Sequence, residues 1–185
     1  MGAIRKLIPV QLFVGVLVSD TKFISEIETR LAAAYGPIDH RSPIILFNFT
    51  SYYAREMGPS IDRLFLSFER LIEADQLPEI KRQTNGIEEE MARLQNSVRR
   101  PVNLDPGYLE QAKVILASTK NFYHRIYLGK GIFGEVTMHF KHNAYEFFPW
   151  TYPDYQSKAY QEFFLELRQR YRSKLRTMCI NDPAG

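Results

Sequence analysis

The 185-residue chain holds one cysteine, Cys179. One thiol cannot build an internal disulfide framework or a cysteine-rich metal site, and such sparing use suits a reducing compartment. Long apolar runs are missing too, and none approaches the roughly 20 residues that cross a bilayer. Arg5 and Lys6 ahead of Leu12–Val18 imitate the front of a signal peptide. Gln11 interrupts that run, however, and Ser19-Asp20 and a charged stretch follow it with no small-residue cleavage pattern in place. Leu12–Val18 reads as a buried strand, and the chain as a soluble cytoplasmic protein with no membrane partner. Neither charge sign dominates. A net charge of +3 permits nucleic acid as a partner without demanding it.

Catalytic signatures are equally scarce. There is no Gly-x-Ser-x-Gly elbow and no Walker loop. Cys179 stands near the end of the chain, away from any helix start that would activate a thiol. The four histidines, His40, His124, His139 and His142, lack metal-ligand spacing, so no metal site is expected. His40-Arg41-Ser42 echoes half of a two-histidine phosphoesterase signature, but the second half is absent. "LGKGIFGEV" at 128–136 satisfies G-x-G-x-x-G through Gly129, Gly131 and Gly134. A dinucleotide loop must open a helix, and here β-branched and aromatic residues of period two follow. A kinase loop needs a strand lysine, a His-Arg-Asp loop and an Asp-Phe-Gly site, and none occurs. The glycines therefore read as a hairpin turn, with Gly131 left-handed between strands Tyr123–Leu128 and Ile132–Phe140.

What is present is ordinary for a folded domain, with 45% apolar and 14% aromatic residues. Apolar spacing predicts a helix through Phe23, Ile24, Ile27, Leu31 and Ala34 that stops at Gly36-Pro37, with Ser19-Asp20 offering the cap. Strands are expected at Leu12–Val18, Ile44–Phe49, Leu64–Glu69 and Val102–Leu104, and a second helix from Pro78 to about Asn96. That order gives an α+β protein built on a ferredoxin-like βαββαβ unit over residues 1–104. Residues 105–185 extend it by a helix from about Pro106 to Ser118, the antiparallel hairpin, a short strand near Tyr145–Phe148 and a terminal helix. The inner face of that last helix is Tyr160, Phe163, Phe164, Leu167, Tyr171 and Leu175, with Arg168, Arg170, Arg172, Lys174 and Arg176 around the rest. One domain covers 1–185.

The hairpin register pairs Leu128 with Ile132, Ile126 with Gly134 and Arg125 with Glu135. It puts His124, Ile126, Leu128, Ile132, Val136 and Met138 on a core face, and Tyr123, Arg125, Tyr127, Phe133, Glu135 and Thr137 on the other. Arg125 facing Glu135 is either a surface cross-strand pair or the polar floor of an aromatic-ringed pocket. Asp105-Pro106 reads as a helix start, whose free amides would offer an anion site helped by Arg99 and Arg100. His124 is either a satisfied core histidine or a base. Trp150, Tyr152 and Tyr155 form a packing corner, with Asp154 or Ser157 as cap, or a stacking lid.

Several strings together, "PVQLFVGVL", "FNFTSYYAREMG", "FLSFERLI", "VNLDPGYL", "HRIYLGKGIF" and "WTYPDY", resemble the bacterial family called domain of unknown function 4416 over about Pro9 to Arg176. The resemblance implies a prokaryotic cytosolic protein and assigns no catalytic residue and no cofactor. Two functions stay open. One is binding or processing of an anionic small molecule or nucleotide near the 123–137 hairpin. There Glu135, Asp105 or His124 would do acid–base work, and Arg125, Arg100, Tyr127 and Trp150 would hold the ligand. The other is a non-enzymatic RNA- or protein-binding module using the sheet face or the basic last helix.

Overall fold

The computed structural model describes residues 7–50, 52–94 and 98–178; Arg5, Lys6, Asn96 and Cys179 lie outside them. β1 (Gln11–Val18) is buried along its whole length, as its unbroken apolar run requires of a strand covered on both faces. Its even-numbered side chains Leu12, Val14, Val16 and Val18 join one core, while Phe13 points into another. Asp20 caps a 3-10 turn at Thr21–Phe23 by accepting from the Lys22 amide, and α1 (Ile24–Tyr35) follows, ending at Gly36 with φ 93°.

The expected strand at Ile44–Phe49 shrinks to β3 (Ile45–Leu46). A strand that its polar residues concealed, β2 (Ile38–Arg41), takes the place beside β4 (Asp62–Phe68). A four-residue helix, α2 (Ala54–Met57), lies between β3 and β4, and α3 (Leu77–Leu94) follows β4. β4 repeats the alternation of β1. Leu64, Leu66 and Phe68 face α1 and α3, whereas Phe65 faces away.

The helix expected from Pro106 to Ser118 does not form. The chain instead runs on as β5 (Val102–Leu109) and turns back as β6 (Lys113–Ser118). Asp105-Pro106 is therefore mid-strand, and no helix N-terminus exists there to bind an anion. Proline survives because the ladder to β6 starts only at Gly107. The amide of Leu104, on the same side of the strand two residues earlier, donates to the Glu88 carboxylate at 2.7 Å, and the Leu104 carbonyl accepts from Lys81 Nζ at 2.7 Å. Side chains of α3 thus replace the missing strand along that stretch.

β7 (Ile126–Gly129) and β8 (Ile132–Lys141) make the expected hairpin, and β9 (Ala144–Phe147) folds back on β8. Gly129, Lys130 and Gly131 all have positive φ, 102°, 54° and 78°. Ile126 pairs with Gly134 as expected, but Gly129 rather than Leu128 sits opposite Ile132. Tyr123, His124 and Arg125 leave the ladder as a turn. The expected faces change accordingly. Ile126 and Leu128 are exposed, while Glu135 and Thr137 are buried.

Among the described residues the nine strands form one antiparallel sheet of order β2-β4-β1-β5-β6-β8-β7, with β3 on β4 and β9 on β8. One face carries α1 and α3 over the Leu12–Leu104 core. The other carries α4 (Lys158–Thr177), whose Tyr160, Phe163, Phe164, Leu167, Tyr171 and Leu175 are all buried as its spacing predicts. The fold is α+β.

Candidate functional site

On the α4 side of the sheet, a seam of charged groups separates the α4 core from a small cluster of Leu17, Phe47, Met57 and Ile61. Cross-strand register builds it. Leu17 stands between Arg63 and Asn103, and Gly15 between Phe65 and Asp105. Gly15 matters because a Cβ there would lie 2.7 Å from Arg63 Nη1.

Arg63 is the seam's buried cation, 3% exposed. Nη1 lies 3.6 Å from Asp105 and Nη2 3.7 Å from Asp154, beyond close hydrogen-bond range. Its Nε and Nη1 make no close hydrogen bond, and the Tyr155 and Tyr160 hydroxyls are likewise buried without one of good geometry, although the guanidinium stands within reach of Tyr160. Burial works against the Arg63 charge, but the surrounding Tyr160, Tyr155, Asp105 and Asp154 outweigh it and hold the guanidinium above its ordinary range. Burial also lifts the Asp154 carboxyl, against the pull of Arg63. Asp154 is no helix cap: it lies inside a 3-10 turn, Pro153–Gln156, and the Ser157 side chain makes no capping bond either.

Asp105 is the most open of these carboxylates. It accepts from Asn103 Nδ2 at 2.7 Å and lies 3.7 Å from Lys81 Nζ. Arg100 donates to Glu88 at 2.6 Å and to Asn103, tying the seam to α3. Tyr53 and Tyr152 lie near Asp105; burial raises both phenols, and the Asp105 charge adds to it.

The second half of the seam centres on Glu135. Its Oε2 accepts from Arg125 Nε at 2.7 Å and lies 3.0 Å from His124 Nε2, while Oε1 and His124 Nδ1 are buried without partners. Arg125 further donates to the Tyr152 hydroxyl at 2.8 Å and the Lys120 carbonyl at 2.9 Å. The His124 ring stacks on Trp150, 5.2 Å between centroids and 8° between planes. A bulge in β8 seats this corner. β8 skips a residue against β6 at Thr137, and the Val136 and Thr137 carbonyls accept from Trp150 Nε1 and the Thr151 hydroxyl.

The structure thus brings Glu135, His124, Arg125 and Trp150 into one cluster and puts Asp105 and Arg100 in the adjoining one. Tyr127 stands apart, its ring against Phe133. Arg99 is exposed. Arg125 and Glu135 meet in a buried ion pair, not across an open cavity. Sequence reasoning missed Arg63, Lys81 and Tyr53. The signal for Arg63 was present: in "DRLFLSF" a lone cation takes a turn in the alternation beside Phe65. An open hollow of about 380 Å³ lies elsewhere, walled by Tyr35, Arg70, Glu79 and Lys130, and holds none of the seam's groups. Among the described residues no group of three or more His, Cys, Asp or Glu could hold a metal ion, and no helix is long and apolar enough to cross a membrane.

Sheet, helices and seam together define an α+β protein with helices on both faces of a large antiparallel sheet and a buried charged seam. The chain belongs to the family described as a domain of unknown function, DUF4416, whose profile matches residues 8–171. No curated protein and no solved structure matches it.

Proposed function

We propose that the seam binds an anionic small molecule, a nucleotide among the candidates, where it reaches the surface beside Asp105, Tyr53 and Tyr152. The observation that carries this reading is Arg63, an enclosed guanidinium whose Nε and Nη1 make no close hydrogen bond while its carboxylates stand back at 3.6 and 3.7 Å. Buried donors are nearly always satisfied, so two that make no close hydrogen bond beside the part-exposed Asp105 mark a place for an acceptor from outside. Asp105 supplies the accessible carboxylate for orientation or proton transfer, and the Glu135–His124 pair a second acid–base group one step further in.

The architecture is read in the same spirit. The order β2-β4-β1-β5 with α1 and α3 on one face supports a ferredoxin-like unit, extended into a single domain by the later hairpins and α4. The resemblance to its bacterial family favours a cytosolic setting.

Thermal denaturation of the protein with nucleotides, phosphorylated metabolites and inorganic phosphate tests the binding reading. A cognate ligand at a hundredfold excess over its Kd adds about 2.7 kcal/mol. That stabilisation is expected to disappear in Asp105→Asn and Arg63→Met. The absence of any ligand-induced shift in the wild type would end the proposal.

A further inference from the structure

The loops outside the seam carry a second pattern. No Asp or Glu occurs from 40 to 55 or from 111 to 134, and although Arg41, Lys113, Arg125 and Lys130 in these two stretches pair with Glu28, Glu110, Glu135 and Glu79 from elsewhere, Lys120 does not. The two meet at the surface. Lys120 Nζ donates to the Tyr52 hydroxyl at 2.7 Å and lies 4.9 Å from the centre of its ring. Around this junction four large aromatic or apolar side chains face solvent: Tyr52 63%, Phe122 59%, Tyr123 76% and Ile126 71% exposed. None is needed for a core.

These rings do not dangle. The Arg125 backbone amide donates to the Phe122 carbonyl at 2.9 Å, and its guanidinium holds the Lys120 carbonyl while anchored on buried Glu135. The Phe122 and Tyr123 rings pack on each other at 5.0 Å, and Tyr123 meets the edge of Trp150. A buried ion pair therefore fixes a set of exposed π-faces next to a lysine. Among the described residues that lysine has no carboxylate within ion-pair distance, and its side chain donates to the neutral Tyr52.

We propose that this rim, Tyr52 with Lys120, Phe122 and Tyr123, docks single-stranded nucleic acid, bases stacking on the rings and phosphates meeting the lysine. Every base has a π-face, so such a platform takes a strand without reading its sequence. Charge complementarity selects this occupant over a second copy of the chain. A two-fold contact here would enclose two copies of Lys120 with no carboxylate among the rim residues to meet them. The rim adjoins the seam through Arg125 and the Tyr52–Tyr53 ring contact, but none of its four residues is among the groups proposed to hold the seam's ligand.

Fluorescence anisotropy with labelled 12-nucleotide oligo-U and oligo-dT, against a duplex of equal length, tests the proposal. Single strands are expected to bind better than duplex at low salt. Phe122→Ala and Tyr123→Ala should each weaken binding about fivefold or more. Lys120→Ala should flatten the plot of log affinity against log salt by about 0.7, one phosphate's share. Arg172→Ala with Arg176→Ala, on exposed α4, should change neither affinity nor slope. The substituted rim residues are exposed, so unchanged circular dichroism is expected throughout. Three results would overturn the proposal. One is no anisotropy change at low salt. Another is loss of binding through the α4 pair with the rim variants intact. The third is a concentration-dependent dimer that Ile126→Lys abolishes in a protein that ignores oligonucleotides.

Discussion

Glu135 is a carboxylate on a strand that the alternation of β8 turns toward the α4 side, where Trp150 and the loop above shut out water. An ionised carboxylate survives there only if its charge is met, and Arg125 meets it at 2.7 Å. Glu135→Ala leaves the Arg125 guanidinium enclosed without its counter-ion. The expected cost is about 3 kcal/mol in urea unfolding, with a smaller penalty for the double variant Glu135→Leu, Arg125→Met. A single-variant cost under about 1 kcal/mol would show the pair to be as weak as an exposed one. The contact itself was legible, because hairpin register placed an arginine near an acid. The burial was not. It depends on the bulge at Thr137 and on Trp150 reaching the Val136 carbonyl, and neither has a local sequence signature. His124 shows the same limit: strand alternation put it opposite Arg125, but the turn at 122–125 swings both side chains onto one carboxylate oxygen.

At the scale of elements, α4 is held to the sheet by more than its apolar stripe. Lys174 Nζ sits 2.7 Å from the Asp39 carboxylate of β2 and also donates to Gln11 of β1 and to the Phe68 carbonyl of β4. Burial alone would raise the Asp39 carboxyl, but the Lys174 and Ser67 hydrogen bonds prevail and hold it below its ordinary value. A depressed folded-state pKa gives stability that is present above the unfolded pKa, about 3.9, and lost as pH falls through the lower folded value. Asp154 and Glu88 act in the opposite sense, since burial raises both. The stability difference between wild type and Asp39→Asn isolates Asp39. It is expected to be largest near pH 6 and to shrink steadily below pH 4, as read from urea midpoints at each pH. A difference independent of pH would remove Asp39 from the acid limb.

The elements themselves were unevenly readable. α3 and α4 were plain from their periodic apolar stripes, and β1 from its apolar run. β2, "IDHR", was hidden because its side chains serve contacts such as Ser67 to Asp39 and His40 stacked on Phe163, and it carries no apolar alternation. The 106–118 segment was misread because Asp-Pro is a strong helix opener when judged locally. The β-branched pair Val114-Ile115 was the countersignal, and pairing with β1 and β8 decided the outcome.

At the scale of the whole molecule, the two main cores lie on opposite faces of the same strands. β1 gives Leu12 and Val14 to one and Phe13 to the other, and β4 divides Leu64 and Phe65 in the same way. Neither layer can lose its packing while the shared strands stay in place, because their exposed faces would then carry Phe13 or Leu12 into water. This argues for one cooperative unit over the described residues, against separate melting of the 1–104 and 105–185 segments. Trp150, the chain's single tryptophan, lies on the α4 side and reports that layer by fluorescence. Far-UV circular dichroism at 222 nm reports α1, α3 and α4 together. Their urea transitions are expected to coincide in midpoint and slope. Phe164→Ala, deep in the α4 layer, should cost about 3–5 kcal/mol and move both transitions by the same amount. If the fluorescence transition moved alone, α4 and its hairpins would be a separable unit, and the seam between the layers would open without unfolding the sheet beneath it.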